Sequence, residues 1–181
     1  RGLISVTLST ISTRSLARRA LQRTLAKART ASSAATANYA DVLRDKQRPP
    51  PGDWRIWLIL AGRGFGKTLA ITQWALAQAK AMPKSRGALV AATAADARDV
   101  MVEGESGILS TAPADFRPLY EPSKRRLTFP NGSQATLFSA DEPNRLRGPQ
   151  YHWAACDELA AWNSPEAFDQ LLLGLRLGRD P

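Results

Sequence analysis

Ile56-Trp57-Leu58-Ile59-Leu60-Ala61-Gly62-Arg63-Gly64-Phe65-Gly66-Lys67-Thr68 is an apolar run that ends in glycines, a lysine and a threonine. Ile56 to Ala61 predicts a short buried strand of a parallel sheet, where both faces are covered and apolar residues need not alternate. Thr68 to Met82 predicts a helix, with Leu69, Ile71, Trp74, Ala75 and Gln78 continuing unbroken to Pro83. Between them lies a loop suited to phosphate. Its glycines let backbone N–H groups curl around anionic oxygens. The following helix N-terminus favours negative charge. Gly62, Arg63, Gly64, Phe65, Gly66, Lys67 and Thr68 are the candidate nucleotide-binding residues, Lys67 reaching the β and γ phosphates and the Thr68 hydroxyl holding Mg²⁺. Ala61 stands where the usual pattern has its first glycine. An accidental glycine-rich turn is the competing reading.

Downstream the pattern keeps alternating. Ala88 to Ala92 reads as a second buried strand and Ala94 to Glu103 as a helix. Arg125 to Phe129 and Gln134 to Phe138 flank Asn131-Gly132, a strong hairpin signal. Trp153 to Cys156 reads as another strand and Pro165 to Leu175 as a last helix. Strand–helix–strand–helix order predicts an α/β sheet, with the hairpin as an insertion.

Asp157-Glu158 closes the run Trp153-Ala154-Ala155-Cys156, as in a Walker B element. Asp157 is a candidate Mg²⁺ ligand and Glu158 a candidate catalytic residue that polarises the attacking water. A simple helix cap is the alternative. Arg145-Leu146-Arg147-Gly148-Pro149-Gln150 could aim an arginine at a γ-phosphate, and Arg63 could do so from within the loop; a salt-bridging surface loop is the other reading. His152 and Cys156 read as packing residues, and Trp54 and Trp57 more as core than as base-stacking groups. Lys124-Arg125-Arg126 reads as a solvated face rather than a DNA contact.

Composition narrows the class. The 181 residues hold one cysteine and one histidine, which excludes a disulfide framework and argues against a Cys/His zinc site. No apolar run reaches the ~18 residues of a membrane span. The net charge of +9 is unevenly placed. Residues 1–40 carry Arg1, Arg14, Arg18, Arg19, Arg23, Lys27 and Arg29 with no acid, while the rest sets 18 bases against 16 acids. Residues 1–44 therefore read as a basic Ser/Ala-rich tail, flexible or partly helical over Arg14 to Arg29, with a linker at Ala31 to Ala37. A transit peptide and a nucleic-acid-binding arm are further readings of it. Residues 45–181 form the expected domain, entered through Pro49-Pro50-Pro51-Gly52.

Five stretches in order carry a resemblance: P-P-P-G-D-W-R-I-W-L-I-L-A-G-R-G-F-G-K-T (49–68), E-G-E-S-G (103–107), E-P-S-K-R-R-L-T-F-P-N-G (121–132), F-S-A-D-E-P-N-R-L-R-G-P-Q (138–150) and C-D-E-L-A-A-W (156–162). They resemble the ATPase domain of tailed-phage terminase large subunits, the motors that package DNA into capsids and whose genes also sit in prophages. The resemblance covers about residues 44–181. It implies a RecA-like P-loop NTPase fold with a mainly parallel sheet, Mg²⁺ and ATP as cofactors, and ATP hydrolysis driving packaging. It implies roles for Lys67 and Thr68 in the phosphate loop, Arg63 as the arginine of that loop, Asp157 and Glu158 in Walker B, and Arg147 as a trans-acting arginine finger. The partners implied are double-stranded DNA, the terminase small subunit, the portal protein and further copies in a ring, in the bacterial host cytoplasm and without a membrane. The resemblance also implies an N-terminal fragment. The strand between Ile56–Ala61 and Trp153–Cys156 is expected later in sequence, as is a nuclease domain, so an aggregation-prone sheet with a gap is expected. A helicase-like P-loop enzyme and a non-catalytic prophage remnant are the alternatives.

Overall fold

The computed structural model describes residues 3–4 and 43–177, and its first strand, β1, is Leu3–Ile4. The expected Arg14 to Arg29 helix and the Ala31 to Ala37 linker lie outside the described residues. Helix α1 is Lys67–Ala81 and strand β2 is Arg86–Ala91. Helix α2 starts at Ala94–Asp96 and runs on as a wider π-helical turn over Ala97–Val102, closed by the Glu103 N–H donating to the Arg98 carbonyl. Then come the short helix α3 (Ile108–Thr111) and the strands β3 (Leu119–Glu121), β4 (Arg126–Thr128), β5 (Gln134–Ser139) and β6 (Trp153–Cys156). Helix α4 is Glu166–Gly174.

The six strands form one sheet in the order β1-β6-β2-β5-β4-β3. From β1 to β5 every pairing is parallel, and β4 and β3 extend it antiparallel. Helices cover both faces, because parallel strands must be joined by crossovers. Along β2, Leu89 and Ala91 face one core with Trp74, Met101, Ile108 and Trp153, while Ala88 and Val90 face another with Phe138, Tyr151, Ala154 and Leu171. That alternation is the two-residue period of a strand. Helix α1 is buried around most of its circumference, from Ala70 through Ala77, as expected of a helix inside the fold rather than on its surface.

The structure changes two expectations. The Asn131-Gly132 hairpin forms, yet it is integrated rather than inserted: β5 pairs with β2 over six residues, from Arg86 opposite Gln134 to Ala91 opposite Ser139. Its Leu137 and Phe138 fill the two cores, so the hairpin's second strand is an inner strand of the sheet. The second correction concerns Ile56 to Ala61, which is not a ladder strand; only Ile56 takes part in a β-bridge. A strand needs a neighbour's N–H and C=O row, and the edge of β6 that faces away from β2 carries Leu3–Ile4, opposite Trp153 and Ala154. The apolar run is correspondingly half-covered: Trp57 is buried, whereas Leu60 is 84% exposed.

Candidate phosphate-loop site

The loop between Ala61 and helix α1 is shaped by two glycines in the left-handed region, Gly64 at φ 76° and Gly66 at φ 82°. Gly66 is also the N-cap residue of α1, and no side chain caps the helix there. A Cβ built on Gly62 or Gly64 would meet nothing within 4 Å, so the loop is open in front of the helix N-terminus. The Lys67 ammonium folds back over the loop and donates to the carbonyls of Ala61 (3.0 Å) and Gly62 (3.3 Å).

Thr68, one residue into the helix, donates its hydroxyl hydrogen bond to Asp157 Oδ2 at 3.2 Å, across 89 residues of sequence. Asp157 follows directly on β6, and its other oxygen, Oδ1, accepts the Glu158 N–H at 3.1 Å. Burial pushes the Asp157 carboxyl above its ordinary range, against the opposing pull of the Thr68 hydroxyl, the Glu158 N–H and the Lys67 charge. Glu158 itself turns outward at φ 47° and ψ 49°, and among the described residues its carboxylate makes no hydrogen bond or ion pair. The Trp162 indole donates to the Asp157 carbonyl at 3.1 Å and fixes the turn that follows.

The donor set fits Mg²⁺: a hydroxyl and a carboxylate, both hard oxygens, brought within hydrogen-bond distance of each other. Mg²⁺ takes one or two protein oxygens and completes its shell with waters and phosphates. Among the described residues no group of three or more His, Cys, Asp or Glu side chains is arranged to hold a metal ion.

Among the described residues neither arginine candidate makes a hydrogen bond to Lys67, Thr68, Asp157 or Glu158. Arg63 is exposed on the loop and makes no hydrogen bond or ion pair among the described residues. Arg147 reaches Gln170 of α4 at 3.5 Å, and no hydrogen bond joins it to the loop. Its neighbour Arg145 is held by Glu142. The remaining candidates behave as packing or surface groups. His152 Nδ1 accepts the Arg86 N–H at 2.9 Å, and burial lowers its pKa. The Cys156 thiol is pushed up to about 12, by burial first and by the Asp157 charge second. Lys124 and Arg126 pair with Glu121, and Arg125 with Glu142.

Two residues of the site carry no signal in the sequence. Arg44 and Gln47, beside the expected domain boundary, both donate to the Phe65 carbonyl, Gln47 at 2.7 Å. These contacts span 21 and 18 residues, beyond the reach of any local spacing pattern.

An α/β sheet with a glycine loop leading into a buried helix, and an aspartate from a neighbouring strand end set against that helix's first turn, is the architecture of the P-loop class. Within that class, residues 58–180 match the family described as terminase large subunit, T4likevirus-type, N-terminal, and the chain belongs to that family. It is also similar to a solved structure, the large terminase ATPase domain of Thermus phage P74-26, at 21% identity and a TM-score of 0.49. That match covers 62% of this chain and 53% of the other, so the chain spans about half the length of that domain. No curated protein matches the chain. Among the described residues no helix is long and apolar enough to cross a membrane.

Proposed function

We propose that this chain belongs to the ATP-hydrolysing motor of a phage or prophage terminase, which drives double-stranded DNA into a capsid. The observation that carries the proposal is the Thr68–Asp157 hydrogen bond, which joins the phosphate loop to the Walker B strand end. Residues 62–68 bind the triphosphate, and Lys67 exchanges its bonds to Ala61 and Gly62 for phosphate oxygens. Thr68 and Asp157 are the residues that would hold Mg²⁺. When bound, the metal supplies charge neutralisation on the phosphate oxygens. Glu158, outward-facing beside Asp157, orients the attacking water and accepts its proton. Arg63 lies on the loop itself and is suited to act in cis. Arg147 sits on a short exposed element and is suited to act on a neighbouring subunit's nucleotide. Family membership supports a ring on the portal protein, assembled with the small subunit in the host cytoplasm.

The test is nucleotide binding and turnover by the full chain. Wild type should bind Mg-ATP, Lys67→Ala should lose that binding, and Glu158→Gln should keep it while turning over at least ~100-fold more slowly. Mixing Arg147→Ala with Glu158→Gln subunits should restore activity if the arginine acts in trans. Equal affinity in wild type and Lys67→Ala would refute the assignment.

A further inference from the structure

Arg44 lies more than twenty residues before helix α1, yet it touches the loop directly in two ways and braces a third contact through Gln47. Its Nη2 donates to the Phe65 carbonyl, its guanidinium lies 5.5 Å from the Phe65 ring centroid, and its backbone N–H and Nε both donate to Gln47 Oε1, at 3.0 and 3.2 Å. The last two contacts settle which way the Gln47 amide faces: its oxygen is taken by Arg44, so its Nε2 is the atom that meets the Phe65 carbonyl at 2.7 Å. Gln47 is 3% exposed, so it has little room to leave this arrangement. The Phe65 carbonyl thus accepts from a guanidinium and an amide at once.

The consequence follows from peptide geometry. The unit joining Phe65 to Gly66 is planar and trans, since the described residues contain no cis peptide. In a trans unit the C=O and the next N–H point in opposite directions. Pinning the Phe65 oxygen toward Arg44 and Gln47 therefore turns the Gly66 N–H away from them. Gly66, without a Cβ and at φ 82°, otherwise has wide backbone freedom. A donor fixed before the ligand arrives binds more tightly than one that must be ordered on binding.

We propose that Arg44 is a positioning residue that latches the phosphate loop through the Phe65 carbonyl, presenting the Gly66 N–H to the diphosphate of the nucleotide. This rests on the nucleotide-binding reading above. The latch acts on phosphate recognition alone and takes no part in reading the base.

The experiment measures the affinity of the full chain for Mg-ADP and for magnesium pyrophosphate, which carries the phosphates without a base. Lys67→Ala serves as the control for the site itself. Arg44→Ala should weaken both ligands by the same factor, at least about tenfold, or 1.4 kcal/mol. Arg44→Met, which keeps an unbranched side chain of similar length without a donor, should behave like Arg44→Ala, and Arg44→Lys should recover most of the loss. Those two variants carry the test if Arg44→Ala fails to melt cooperatively. Loss of ADP affinity with pyrophosphate affinity unchanged would overturn the latch, as would unchanged affinity for both with Lys67→Ala still defective. If wild type binds neither ligand, the nucleotide reading falls and the latch falls with it.

Discussion

Gly66→Ala tests the loop geometry most directly, because two separate costs meet at one atom. The backbone there is left-handed at φ 82°, which an alanine adopts at a cost of about 1–2 kcal/mol. The new Cβ would also lie 2.4 Å from Gln47 Nε2, well inside contact distance. Gln47 is a flexible side chain, but it is buried and its oxygen is held by Arg44. Moving it sacrifices its bonds to Phe65 (2.7 Å) and Gly66 (3.4 Å), at ~0.5–1.5 kcal/mol each, with the 3.4 Å contact at the lower end. The sum is about 2–4 kcal/mol. Urea unfolding of wild type, Gly66→Ala, Gln47→Ala and the double variant separates the two parts. With Gln47 truncated only the backbone cost remains, so the double variant should be about 1 kcal/mol or more better than additivity. Strict additivity, or a Gly66→Ala protein within about 0.5 kcal/mol of wild type, a change typical of a neutral surface site, would refute the reasoning.

Three further substitutions read other parts of the structure. Asp157→Asn removes a buried carboxylate whose pKa is raised, so without metal or nucleotide it should stabilise the fold at neutral pH. The folded form costs more as pH rises from the ordinary aspartate value through the raised one, so thermal melts of the two proteins should converge at acid pH. Glu158→Gly relieves a left-handed residue at φ 47° and should raise stability by up to about 1 kcal/mol while abolishing turnover, read by melting and phosphate release on one sample. Gly87→Ala would put a Cβ 2.2 Å from the ring of Trp153, which is fully buried, and should destabilise the sheet by about 3 kcal/mol or prevent folding, as seen in denaturant titration.

Elements with their own local code were legible in the sequence. Helix α1 ends at Ala81, just before the proline that stops it, and β2, the Asn131-Gly132 hairpin, β6 and α4 lie where periodicity and turn residues put them. What depended on a partner was not. Ile56 to Ala61 has the composition of a buried strand, but composition cannot say whether a neighbour is there to pair with it. The short β3 was missed because Leu119-Tyr120-Glu121 has too few residues for a pattern, and its pairing with β4 defines it. The candidates Lys67, Thr68, Asp157 and Glu158 stand out in the sequence because a phosphate loop and a strand-end acid pair are written in contiguous residues. That Thr68 and Asp157 meet needed the fold. Arg44 and Gln47 were invisible because their role lies in a carbonyl, a group every residue possesses.

The tryptophans give this protein an optical signature tied to its working parts. Trp54 lies 6.0 Å from Trp57 and 6.2 Å from Trp74, and Trp74 lies 6.2 Å from Trp153 in an edge-on arrangement. The chain of indoles runs from the segment before the loop, through the helix behind it, to the strand that delivers Asp157. Trp162, the fifth and last tryptophan, is bonded to the Asp157 carbonyl. Each of the five tryptophans therefore belongs either to this packed chain or to the turn that follows Asp157. Near-ultraviolet circular dichroism, which responds to fixed aromatic packing, reads the packing of α1 against β6 in the unlabelled protein through Trp74 and Trp153.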